Sequence, residues 1–187
     1  MHSTLLYVLL EGNDDERFFA RVILPILADE GYRVKIWKYA REKRKRTELF
    51  VRAVRKSGAG YLYVRDIDTA PTIATKKREI RSWYHHAVSE GRIVIVITEI
   101  ESWYLAGIPL SALRRFGIAE EITSTDSLTK EDFNRIVPGG MSRIHFMREL
   151  LVRYDTGGAM GRNKSFAYFM HRFAPGWVAR HQGRPER

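Results

Sequence analysis

Cysteine does not occur anywhere in the 187 residues, which excludes disulfides and thiolate metal sites. That agrees with a reducing compartment, and a cytoplasmic location is the expectation. Long apolar runs are missing as well. The first apolar stretch, Leu5 to Leu10, covers about six residues before Glu11, too short for the core of a secretory leader. No run approaches the roughly 18 apolar residues of a membrane span, so no membrane partner is expected. No internal repeat or low-complexity tract is visible. Negative charge is in the minority: 22 Asp and Glu stand against 32 Lys and Arg, a formal net charge of +10. Such an excess favours polyanionic partners such as nucleic acid.

What is present is enough for a core, with 44% apolar and 12% aromatic residues. Leu5 to Leu10 reads as a strand buried on both faces. From Asp14 to about Asp29 the spacing is helical, with Phe18, Phe19, Val22, Ile23 and Leu27 on one face. Pro25 predicts a kink or break there, and Gly31 closes the helix. "YRVKIWKY" alternates like a second strand, and Thr47 to Lys56 predicts a helix. "YLYV" (Tyr61 to Val64) is a third strand, Thr72 to Glu90 a helix ended by Gly91, and "IVIVI" (Ile93 to Ile97) a fourth strand. This alternation predicts an α/β fold: a Rossmann-like, mainly parallel sheet flanked by helices. Residues 1–110 would form that core, and residues 111–187 a small helical C-terminal extension. Helices are expected at Thr129 to Ile136, Ser142 to Tyr154 and Asn163 to Phe173, with disorder from about residue 181.

Three of the four strands run straight into acid: Glu11 with Asp15, Asp66 with Asp68, and Glu99 with Glu101. Ligands of open parallel sheets bind at this carboxyl edge. In an extended chain residues i and i+2 lie on one side, about 7 Å apart, so each pair can aim at one centre. Six crowded carboxylates repel one another unless cations lie between them. Hard divalent ions, Mg²⁺ or Mn²⁺ and as many as two, would supply that charge. Two such ions would stabilise the attacking and leaving oxygens of a phosphodiester displacement. Plainer explanations exist for each set alone. Asp14, Asp15 and Glu16 suit the start of a helix, Asp66 and Asp68 suit a turn, and Glu99 and Glu101 can begin a helix through Trp103.

At these residues the chain resembles the toprim superfamily, the metal-binding domain of topoisomerases, primases and certain nucleases. "EGNDDERFF" is similar to its first motif, a Glu-Gly after the first strand, and "RDID" to its Asp-x-Asp motif. The closer likeness is to the overcoming-lysogenization-defect nucleases and small stand-alone toprim-like proteins. Their extra acid four residues after the first glutamate matches Asp15, and their later acidic pair matches "EIE". Their downstream lysine has Lys164 in "GRNKSFAYF" as its candidate. The resemblance covers roughly residues 4 to 107 and implies Mg²⁺- or Mn²⁺-dependent cleavage of DNA or RNA, often in defence against phage or mobile elements. It implies Glu11, Asp66, Asp68 and Lys164 as catalytic residues. The metal ligands would be Glu11, Asp15, Asp66, Asp68, Glu99 and Glu101. The ATPase of the full-length nucleases has no counterpart, since no Walker-type loop is present: "GGAMGRNKS" lacks the needed glycine spacing and reads as a flexible loop.

Nucleic-acid contacts are expected from "REKRKR" (Arg41, Lys43, Arg44, Lys45, Arg46), from Arg65, and from "KKREIR" (Lys76, Lys77, Arg78). A solvated surface would explain either basic run equally well. His85 and His86 lack the spacing of a zinc site and read as helix surface. Trp83-Tyr84 and Trp103-Tyr104 read as core, with base stacking as the lesser alternative. The competing expectations are a non-catalytic nucleic-acid-binding or adaptor module and another Mg²⁺-dependent phosphoryl-transfer enzyme. A homodimer, or a partner protein of a defence system, is also compatible with the sequence.

Overall fold

A computed structural model describes residues 4–118 and 122–181. Two compact units divide the chain, Met1–Val96 and Ile97–Arg187. No helix among the described residues is long and apolar enough to cross a membrane.

The first unit is built on four parallel strands, β1 (Thr4–Leu10), β2 (Tyr32–Lys38), β3 (Gly60–Asp66) and β4 (Ile93–Val96), in the order β2-β1-β3-β4. The chain moves one way from β1 to β2, and the other way from β2 past β1 to β3 and β4. Right-handed crossovers therefore lay the connecting helices on both faces. Helices α1 (Asn13–Phe18) and α2 (Leu24–Asp29) cover one face. The other carries α3 (Arg44–Lys56) and α4 (Ile73–Trp83), which share a core with Leu9, Tyr61 and Tyr63. Leu6, Val8 and Leu10 alternate with that set and are also buried, as a doubly covered strand requires. The edge strand β2 differs: Arg33 and Lys35 are exposed between half-buried neighbours, so its charges keep the edge wet.

Before Pro25 the regular α-helix is interrupted. The turn before it widens into a π-helical segment, Phe19–Ile23, where the Leu24 N–H donates to the Phe19 carbonyl. Pro25 then sits in the first turn of α2, where its missing N–H costs nothing. The helix expected over 72–90 ends early, at Trp83. Behind it His85 and His86 take left-handed φ values of 45° and 57°, and a short 3₁₀ turn, Glu90–Arg92, leads into β4. The histidines therefore belong to a turn; His85 Nδ1 lies 3.0 Å from Glu48 on α3. α3 also starts three residues earlier than its apolar pattern suggests, because the charged first turn adds nothing to that pattern.

The second unit is helical: α5 (Ile100–Ala106), α6 (Leu110–Arg115), α7 (Lys130–Arg135), α8 (Arg143–Val152), α9 (Thr156–Arg162), α10 (Lys164–Phe173) and α11 (Pro175–His181). All seven residues of α5 are buried. Trp103 and Tyr104 pack there with Phe133, Phe146, Phe166 and Phe169. The glycine-rich stretch expected to be a loop is helix α9, started by Asp155, whose Oδ1 accepts from the Gly157 N–H at 3.0 Å. Beyond His181, the tail expected to be disordered lies outside the described residues.

Candidate functional site

The reversal of strand direction between β1 and β3 is a topological switch point, the position where open α/β sheets bind ligands. Leu9 pairs with Tyr63, so one pleat further on Glu11 emerges opposite Arg65. Their side chains meet: Arg65 Nη1 lies 3.3 Å from Glu11 Oε1. Alternation along β3 sends Arg65 to the α3/α4 face and Asp66 to the opposite one.

Asp68 is not an extended-chain partner of Asp66. The strand ends at Asp66, and Asp68 turns into the left-handed region at φ 50°, which Asp tolerates better than most residues. Its carboxylate accepts from Lys76 Nζ at 2.5 Å and from Arg65 Nη2 at 3.2 Å. Burial alone would raise the Asp68 pKa, but the Lys76 hydrogen bond and the charges of Arg65 and Lys76 outweigh it and hold the carboxyl below its ordinary value.

The acids of the first helix are likewise placed by local partners. Asp15 is buried and its Oδ2 accepts from the Gly12 N–H at 2.9 Å, capping α1. Asp14 pairs with Arg17 at 2.6 Å, and Glu16 with Lys38 at 2.6 Å. The crowding after β1 is thus relieved largely by this chain's own cations and backbone donors.

Glu99 and Glu101 belong to the second unit and are not two residues of an extended strand. Glu99 is the N-cap of α5, and its Oε2 accepts from the Lys130 N–H at 2.6 Å. Glu101 lies on the first turn of α5, buried, and pairs with Arg143. Burial raises the Glu101 pKa, against the pull of Arg143. Immediately before them Thr98 holds a φ of 64°, an uncommon conformation for a β-branched residue and a mark of local strain. Its hydroxyl donates to the Asp126 carbonyl at 2.7 Å. Asp126 also receives Lys164: the backbone N–H at 2.8 Å and Nζ at 3.5 Å. Lys164 is the first residue of α10, with its side chain 85% exposed. Beside it, Asn163 and Ser165 form a buried polar network. Asn163 donates to Ser102 and Thr125, and Ser165 bridges Trp103 Nε1 and Asn163 Oδ1.

The two basic runs meet around one ring. Arg44, Arg65 and Lys76 lie 4.8, 5.3 and 5.5 Å from the centre of Trp83. Lys76 is buried and bound to Asp68, so it is withdrawn from the phosphate-contacting role expected of it. Arg41, Lys43, Arg44, Lys45, Arg46 and Arg78 are exposed, and Lys77 is half-buried. Trp83 is half-buried rather than core, whereas Tyr84, Trp103 and Tyr104 are core as expected. A pocket of about 200 Å³ opens beside this cluster, lined by Glu11, Tyr39, Arg44, Arg65, Trp83 and Tyr84 among others. In the sequence Trp83 stands two residues past the "KKREIR" run.

For a hard divalent cation the donor chemistry fits, since Glu11, Asp15, Asp66 and Asp68 offer only oxygen. Their arrangement here favours protein cations. Arg65 and Lys76 hold Glu11 and Asp68, and among the described residues no three His, Asp or Glu side chains are gathered to hold one ion.

The first unit therefore defines an α/β protein with a doubly wound parallel sheet and a charged pocket at its switch point. In comparisons with known proteins the chain matches no family model, no curated protein and no solved structure.

Proposed function

We infer that this chain is a metal-dependent nuclease, hydrolysing phosphodiester bonds of DNA or RNA. The observation that carries the reading is the meeting of Glu11 and Arg65 at the carboxyl ends of adjacent strands, with Asp66 and Asp68 directly following. Acidic oxygens and a guanidinium share the place where such folds hold ligands. The toprim-like pattern of "EGNDD" and "RDID" and the net charge of +10 support the same reading.

In this reading Asp66 and Asp68, with Asp15 behind them, would hold Mg²⁺ or Mn²⁺, and the bound ion would supply positive charge to the reacting phosphodiester. Arg65 exchanges its carboxylate partners for a non-bridging phosphate oxygen, a bidentate match for its planar fork. Glu11, released from Arg65, accepts the proton of the attacking water. Exposed Arg41, Lys43 and Arg44 neutralise the neighbouring phosphates. A role in defence against phage or mobile elements follows from the same resemblance.

The test is cleavage of plasmid and single-stranded substrates with Mn²⁺ or Mg²⁺, beside calorimetric titration of Mn²⁺. Cleavage that requires the ion and is lost in Asp66→Ala is the expected result. Absence of cleavage on every substrate, or full activity in Asp66→Ala, refutes the reading. A binding module without catalysis is the second reading. The ion pairs that already neutralise Glu11 and Asp68 favour it, and nucleic-acid affinity without cleavage and without Mn²⁺ uptake would establish it.

A further inference from the structure

We propose that the pocket beside Trp83 receives one unstacked nucleobase, making single-stranded nucleic acid the substrate class. This rests on the reading above that nucleic acid is the partner, and it adds where and in what form the strand is held.

Size comes first. About 200 Å³ falls below the roughly 300–1,000 Å³ that encloses a drug-sized ligand, so the pocket accepts a single planar group rather than a whole nucleotide. Two of the residues lining it are buried tyrosines. Tyr39 is buried and its hydroxyl donates to the Val64 carbonyl at 2.8 Å. Tyr84 is buried with its hydroxyl 3.1 Å from that of Tyr63. The Tyr39 and Tyr63 rings stack at 4.6 Å.

The wall is Trp83, over which Arg44 rests at 4.8 Å. Arg44 is exposed and makes no ion pair among the described residues. An exposed guanidinium on an indole is a weak contact, so a base can slide between the two planes at little cost. Bases are commonly held this way, stacked on aromatic rings and on Arg planes.

Glu11 and Arg65 also line the pocket, so a base held against Trp83 keeps its strand beside the groups assigned to the chemistry. A base inside a duplex is stacked and paired and cannot enter without being extruded. Exposed Lys43 and Arg41 lie in sequence just before Arg44 and can take the flanking phosphates of a strand.

The experiment is fluorescence anisotropy with a labelled short oligodeoxycytidine, run in EDTA so that no cleavage intrudes. Competitors are a duplex of the same length and an abasic strand of the same length and charge. Stacking of one base predicts that the oligodeoxycytidine binds about 5- to 150-fold tighter than the abasic strand. That margin should collapse in Arg44→Ala and Trp83→Ala and survive in Trp83→Phe. Equal affinity for the abasic strand, or for the duplex, overturns the proposal. Because both comparisons use the unaltered protein, a misfolded variant cannot rescue it. The two readings fail separately: base discrimination without any cleavage sinks the nuclease, and cleavage without base discrimination sinks the pocket.

Discussion

The Lys76–Asp68 pair predicts an asymmetry that separates burial from contact. One bond joins the two groups, at 2.5 Å, but Lys76 is 4% exposed in its side chain and Asp68 43%. Removing the carboxylate in Asp68→Gly leaves a buried ammonium whose nearest compensation is the Trp83 ring at 5.5 Å. A buried charge that loses its partner is strongly destabilised, and a hydrogen bond to a charged group contributes about 1.5–3 kcal/mol. Glycine suits the φ of 50° at this position, so strain relief roughly offsets its added chain entropy. Asp68→Gly should therefore cost about 2–3 kcal/mol.

Lys76→Met removes the other half of the same bond. Asp68 keeps Arg65 at 3.2 Å and faces water, while methionine fills the space of the lysine stem, so the cost should stay within about 1 kcal/mol. The double variant should cost little more than Lys76→Met alone, a coupling of about 2 kcal/mol. Urea unfolding followed by circular dichroism reads the difference. At a slope near 2 kcal/mol per molar urea, 2 kcal/mol moves the midpoint by about 1 M. If Lys76→Met shifts the midpoint as far as Asp68→Gly, the reasoning from unequal exposure is wrong.

Three further outcomes follow from single contacts. Asn163→Ala removes the cap of α10 and leaves buried Ser102, Thr125 and Ser165 short of partners; it should cost about 2–4 kcal/mol in thermal or urea unfolding. A Cβ at Gly107 would stand 2.5 Å from the Tyr154 ring, whose hydroxyl is held by the Trp103 carbonyl at 2.8 Å; Gly107→Ala should lose about 1–3 kcal/mol, and less when Tyr154 is also truncated. The hydrogen bond with His85, then that from Arg52, lowers the Glu48 pKa from 4.5 to about 2. A depressed carboxyl stabilises the fold above its unfolded value and gives that up as pH falls, here from about 4.5 towards 2. The stability gap between wild type and Glu48→Gln should narrow over that window, and a constant gap refutes the assignment.

Much of the first unit was legible because burial on both faces writes itself as continuous apolar runs. β1, β3 and β4 carry such runs, and the order of strands and helices follows from their alternation. The helix starts at Thr129 and Asn163 were legible for a similar reason, since the caps the structure shows there are local interactions between neighbours in sequence. The helix over Phe19–Ile23 was legible as helix but not as a wide turn. Pro25 signals only that a hydrogen bond must be lost, not how the chain absorbs the loss.

The candidate site divides along the same line. That Glu11, Arg65, Asp66 and Asp68 leave the ends of strands is a sequence fact, because strand ends are local. Which charge meets which is not, because it depends on register, on turn angles and on helices that return from far along the chain. The register of β1 against β3 set Glu11 beside Arg65, the left-handed turn at Asp68 delivered it to Lys76, and the return of α4 placed Trp83 between two basic runs some thirty positions apart in the sequence. Composition and periodicity determine what must be buried and where segments end; only packing in three dimensions decides which of the leftover polar groups become neighbours, since their attraction is weak until desolvation brings them together.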